Sequence, residues 1–197
     1  MLNNQIFSNF KLFQNKYFFV LCFYLKKNLI NNNYIYNYLF LGYKYNYILL
    51  NINVFIKLLK KSLNLIKKVS QKNGNILILY TQNKILNFIL QKNCIKNNIN
   101  YLSNLKQKQA NLLTYLSVFP DLVISFDYKT NAIFLNKIKN YNVPVICVTN
   151  SLNKNIINNF IYYLIINNNS IYSNLLIIYL FFNNITSNQK IITNNFN

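Results

Sequence analysis

The chain contains no histidine, arginine, glutamate or tryptophan, and only two glycines and two prolines. Each absence closes off a kind of chemistry. Without histidine, the commonest general base and zinc ligand is missing, and a serine or cysteine nucleophile has no imidazole partner. Gly42 and Gly74 stand far apart, so neither a G-x-G-x-x-G turn nor a Walker loop is present to cradle phosphate. Asp121 and Asp127 are the only carboxylates and flank one apolar run. They fall at its two ends, too far apart for a close acid–base pair. They are read as structural, capping a turn or helix or neutralising a lysine. Cys22, Cys94 and Cys147 show no metal-ligand spacing and read as buried small hydrophobes. Neither a metal nor a cofactor is expected.

Against two acids stand 21 basic residues, all lysine, for a net charge of +19. A folded chain so charged repels itself unless a polyanion is near. Nucleic acid is the first candidate partner and an anionic membrane surface the second. Part of the excess is compositional. Asn, Ile, Leu, Lys, Tyr and Phe dominate, with Asn about a fifth of the chain; their codons are AT-rich, as in many organelle genomes. Such drift explains lysine over arginine. It explains the scarcity of acids less well, because the codons for Asp and Glu are themselves fairly AT-rich. Asparagine amides can bond phosphate, ribose and base edges, and the 17 tyrosines can stack on unpaired bases. Both are too common here to mark a site.

A hydrophobic content of 53% over 197 residues supports one domain with a sizeable core and argues against global disorder. The most apolar runs, Tyr17–Leu25 and Leu175–Phe182, fall short of the roughly 18–20 residues that span a bilayer. No stable membrane insertion is expected. The first residues lack the Arg and Ser of a transit peptide, which a gene within the organelle would not need.

Periodicity outlines the fold. Tyr47–Leu50 reads as a short strand, and Asn53 to about Lys72 as a helix with apolar positions Phe55, Leu58, Leu59, Ile66 and Val69. Lys57, Lys60, Lys61, Lys68 and Lys72 fall largely on its other side. Such a face is either simply solvated or in contact with phosphate. Asn53 is placed to cap the start, and Asn73-Gly74 to stop the helix. Asn75–Tyr80, Leu122–Phe126, Val143–Thr149 and Phe160–Ile166 read as buried strands. Helices are expected from Thr81, as cap, to about Gln91, over Lys129–Tyr141, and from Ile171, after a cap at Ser170, to about Asn183. Residues 96–118 are polar with some helical character. The alternation implies parallel βαβ units in a Rossmann-like, doubly wound α/β sheet flanked by helices. An enzyme of this class would hold its ligand at the carboxyl ends of the strands.

Five collinear stretches carry a resemblance. Phe119-Pro-Asp-Leu-Val-Ile-Ser-Phe-Asp127 resembles the P-D-x-x-x-x-x-D strand of the universal small-subunit ribosomal protein S-two family. Asn142-Val-Pro-Val-Ile-Cys-Val-Thr-Asn-Ser151 is similar to that family's G-I-P-V-x-A-I-V-D-T-N, at the same interval. Ile165-Ile-Asn-Asn-Asn-Ser170 and the following helix resemble its V-I-P-G-N-D-D-x turn and last sheet-packing helix. Upstream, Tyr38 to Leu50 is similar to F-I-F-G-x-R-N-x-x-H-I-I-N-L, and Lys72 to Thr81 to K-G-K-I-L-F-V-G-T-K. The agreement covers about residues 38–95 and 119–182. Gly42, Gly74, Pro120, Asp121, Asp127, Pro144, Asn150 and Asn169 occupy motif positions. Asn150, Asn142 and Asn167 replace the family's Asp, Gly and Pro, and its N-terminal G-x-H-F-G-H is not visible. The W-L-G-G-x-L-T-N segment is barely traceable, at Ala110–Thr114.

The resemblance implies a structural constituent of a small ribosomal subunit, with rRNA and neighbouring small-subunit proteins as partners and no small-molecule substrate. Its departures suit a fast-evolving mitochondrial copy, in the matrix, better than a bacterial or plastid one. It implies a domain over 38–185, an N-terminal arm over 1–37, a polar tail over 186–197, and a helical insert shortened to a stub within 96–118. Lys44, the helix lysines 57, 60, 61, 68 and 72, and Lys106 and Lys108 in the insert are the candidate phosphate contacts. The alternatives are a degenerate Rossmann-type nucleotide-binding protein and a lysine-rich peripheral membrane protein.

Overall fold

A computed structural model of the chain describes residues 24–26, 38–45, 47–102, 119–149, 160–167 and 170–194. In chain order these form β1 (Tyr24–Lys26), β2 (Phe40–Lys44), β3 (Tyr47–Leu50), α1 (Ile52–Gln71), β4 (Ile76–Leu79), α2 (Lys84–Lys96), β5 (Asn100–Leu102), β6 (Leu122–Ser125), α3 (Tyr128–Lys139), β7 (Val145–Thr149), β8 (Tyr162–Ile165) and α4 (Ile171–Asn194). Five strands make one parallel sheet in the order β5-β4-β6-β7-β8. Every residue of β4, β6 and β7 is buried, because helices cover both faces of a parallel sheet. α1 and α2 each pack against α4, whereas α3 packs on β7. Right-handed crossovers put α2 and α3 on opposite faces, since the chain leaves β4 in one direction and β6 in the other. The Rossmann-like, doubly wound fold read from the alternation is the observed one.

A second, antiparallel sheet orders β1-β3-β2. β1 pairs with β3, so part of the 1–37 segment belongs to this sheet. Gly42 sits where the register of β2 slips, at φ +155°, a conformation that side-chain-bearing residues rarely adopt. β3 leads through Asn51 into α1.

The element ends differ from the sequence expectation for physical reasons. Asn51, not Asn53, caps α1: its side chain accepts the Asn53 N–H at 3.2 Å, and its own N–H donates to the Leu39 carbonyl at 2.8 Å. That tie to the residue before β2 fixes where the helix begins. Asn83, not Thr81, caps α2, accepting from the N–H groups of Ile85 and Leu86, while the buried Thr81 hydroxyl donates to the Asn83 carbonyl. α2 runs on to Lys96 because Leu86, Leu90 and Cys94 keep one buried face. α4 runs on to Asn194 because no Gly or Pro interrupts it; Ser170 Oγ, buried before it, has no hydrogen-bond partner among the described residues and does not cap it. β5 escaped notice because it is a three-residue edge strand with one buried side chain. The predicted helical character at 106–116 lies outside the described residues.

Gly74 closes α1 against the sheet. Its N–H donates to the Val69 carbonyl at 2.9 Å. A Cβ at this position would stand 2.7 Å from Val69 Cγ1 and 3.2 Å from Asp121 Oδ2. Gly74→Ala should therefore cost about 1–3 kcal/mol through overpacking. Urea denaturation reads this directly, and an unchanged midpoint would contradict the close approach.

Cys94 and Cys147 are free and buried, as expected; Cys22 lies outside the described residues. Burial pushes the Cys94 thiol from 9.0 to about 12, and burial aided by the Asp127 charge does the same for Cys147. The folded state thus holds these protons where the unfolded chain releases them. Stability is unaffected below pH 9 and falls as pH rises from about 9 toward 12, by roughly 1.4 kcal/mol per pH unit for each thiol. In a Cys22→Ser background, neither thiol should react with iodoacetamide until the fold is melted, and a Cys94→Ala, Cys147→Ala variant should lose less stability over that pH range.

Candidate nucleic-acid interface

α1 presents its lysines as a stripe. Lys57, Lys60, Lys61 and Lys68 are exposed, with exposed Asn53, Asn64 and Gln71 among them. At 3.6 residues per turn they fall within roughly a third of the helix circumference, and Lys57 to Lys72 spans about 22 Å of axis. The opposite side carries Phe55, Leu59, Leu63 and Ile66 into the core, against β8 and α4. Burial of that apolar side fixes which way the lysines point. Lys72 is exposed at the C-cap. Lys44 ends β2. Lys106 and Lys108 lie outside the described residues, as do Asn150 and Asn169.

Both carboxylates serve backbone geometry. Asp121 Oδ2 accepts the Asn75 N–H at 2.8 Å, and the Asp121 N–H donates to the Asn75 carbonyl at 2.9 Å. This pair of bonds joins the loop entering β4 to the loop entering β6. Asp127 caps α3, its Oδ1 accepting the Lys129 N–H at 3.1 Å. Pro120 is buried just before β6, and the Pro144 carbonyl accepts the Val123 N–H at 3.1 Å. The motif positions that fall among the described residues are thus joints of the sheet.

The topological switch point of the sheet lies at the carboxyl ends of β4 and β6, where the chain turns from β4 toward β5 on one side and from β6 toward β7 on the other. In doubly wound enzymes ligands bind at such a switch point, phosphate resting on a helix N-terminus. Here the chain's own groups occupy it. Asn83 takes two free N–H groups of α2, and the Asp127 carboxylate sits on α3. Asn131, 1% exposed, bridges the strands. Its Nδ2 donates to the Tyr80 carbonyl at 2.9 Å, to Ser125 Oγ at 3.1 Å and to the Asp127 carbonyl at 2.8 Å. Its Oδ1 has no hydrogen-bond partner among the described residues. An incoming phosphate would meet the Asp127 carboxylate at α3 and N–H groups of α2 already bound to Asn83.

Asn131 was not singled out from the sequence, although a signal was there. It shares the i, i+3, i+4, i+7 stripe of α3 with Phe134, Leu135 and Ile138, all buried. A polar residue on a core stripe has a buried partner to find.

Among the described residues no group of three or more Asp or Cys side chains could hold a metal, and no helix is long and apolar enough to cross a membrane. The chain matches no protein-family model and no curated protein sequence.

Proposed function

We propose that the chain is a structural constituent of the small subunit of a mitochondrial ribosome, where it binds rRNA and supports subunit assembly and translation. The observation that carries this reading is the α1 stripe of exposed lysines in a chain of net charge +19 whose two carboxylates are both engaged by backbone N–H groups. Lysines on a rigid helix neutralise phosphate repulsion and release counterions. Contacts of this kind position RNA without reading its sequence. The helix N-termini at the switch point, capped by Asn83 and by the Asp127 carboxylate, weigh against the nucleotide-binding alternative. The resemblance of the strand motifs supports the ribosomal assignment over other RNA-bound roles.

The decisive test is RNA crosslinking in intact mitochondria, with crosslinked RNA and peptides identified, alongside sedimentation. Small-subunit rRNA crosslinked to this chain, and co-sedimentation with small subunits at moderate salt, are the expected results. A chain found only in free or membrane fractions would overturn the proposal.

A further inference from the structure

The parallel sheet has a second edge, where its strands begin, and the helix ends give it a distinctive charge. α1, α2 and α3 each lead into a strand of this sheet, so their C-termini meet at the amino edge. Lys68 and Lys72 end α1, Lys96 ends α2, and Lys137 and Lys139 end α3. Lysine at a helix C-terminus complements the dipole, which accounts for each one singly. Their convergence on one edge follows from the parallel topology. Asp121, at the foot of β6, is the carboxylate on this edge, and the Asn75 N–H already binds it.

What lies among these lysines is also unusual. A hollow of about 170 Å³ opens between the feet of β4 and β5, lined by Asn73, Asn75, Asn98 and Asn100. Asn73 and Asn98 turn the backbone there at φ 54° and 52°. Toward the feet of β6 and β7, Phe119 and Tyr141 pack ring against ring, with centroids 5.4 Å apart, yet are 45% and 55% exposed. Beyond them a second hollow, of about 300 Å³, is walled by Val143, Pro144, Ile161 and Tyr162, with Lys139 at its side.

We infer that the amino edge of the parallel sheet binds unpaired RNA. Phe119 and Tyr141 stack on bases, the asparagine-lined hollow bonds the edge of a neighbouring base, and the helix-end lysines hold phosphates. The inference rests on the RNA-binding reading and adds which edge is used and which form of RNA. Exposed rings need base faces, which a duplex hides and a single strand offers. An apolar protein segment would cover the rings but would offer nothing to the asparagine amides or to the positive charge of the helix ends.

The test uses the full chain with a short 4-thiouridine-labelled oligouridine and an RNA duplex of equal length. Phe119→Leu with Tyr141→Leu keeps apolar bulk at exposed positions and removes the π faces. Oligouridine affinity should fall by roughly tenfold and duplex affinity by less than about twofold. Wild-type photocrosslinks should map to 119–121 and 140–144. Equal effects on both RNAs, no effect on oligouridine, or crosslinks confined to other segments would overturn the inference while leaving RNA binding standing. Failure of the wild-type chain to bind either RNA would overturn the RNA reading and this inference with it.

Discussion

Replacing Asn131 by aspartate should lower stability by about 3–5 kcal/mol at neutral pH, because it buries an unpaired charge. The new carboxylate would face the carbonyls of Tyr80 and Asp127 at the position where Nδ2 now donates to both. Only the Ser125 hydroxyl could turn to donate to it. The sign of the pH dependence follows. Desolvation raises the folded pKa of the new carboxyl above its unfolded value of about 3.9. The deficit is therefore small below about pH 4 and grows as pH rises, until the folded pKa is passed. Asn131→Leu serves as the comparison: it abandons the same carbonyls but should show a pH-independent loss of about 2–3 kcal/mol. Urea denaturation of both variants across this pH range separates them. Parallel curves would mean that Asn131 is not the buried bridge described here.

Neutralising the α1 stripe should produce the largest functional effect. With Lys57, Lys60, Lys61 and Lys68 all changed to Gln, RNA affinity at low salt should fall roughly a hundredfold, and the slope of log affinity against log salt should drop by about 3. Thermal stability should change little, since these positions are exposed. The control is a variant with Lys84, Lys92 and Lys129 changed to Gln, all exposed on other elements. Its slope should change less if the stripe is the phosphate contact. Equal losses per lysine in the two variants would show that net charge alone drives binding, with no preferred face.

The hydropathy pattern made the parallel sheet legible for a simple reason. Strands buried on both faces must be continuous apolar runs, and Ile76–Leu79, Leu122–Ser125 and Val145–Thr149 are such runs. Helix starts were less legible because asparagine is so abundant. Asn51 and Asn53 are equally good caps by chemistry, and only the Asn51 tie to Leu39 selects between them. Edge strand β5 carries too few residues to show a pattern. The roles of Asp121 and Asp127 were legible in kind, as structural groups at the two ends of a strand. The partner of Asp121 was not, since Asn75 is 46 residues away.

By itself the sequence determined the charge, the scarcity of catalytic groups and the alternation of β4, β6, β7 and β8 with helices, because these depend on residue type and local periodicity. It also determined which side of α1 carries lysine, since the apolar positions of that helix leave only one side for solvent. Tertiary structure alone decided which groups each edge of the sheet brings together. Asn131 links the carboxyl ends of β4 and β6 through bonds to residues brought near it by strand pairing. The lysines of three separate helix ends converge on the amino edge because parallel strands require every connecting helix to return to the same side. Neither arrangement can be read from a chain in which lysine and asparagine occur throughout.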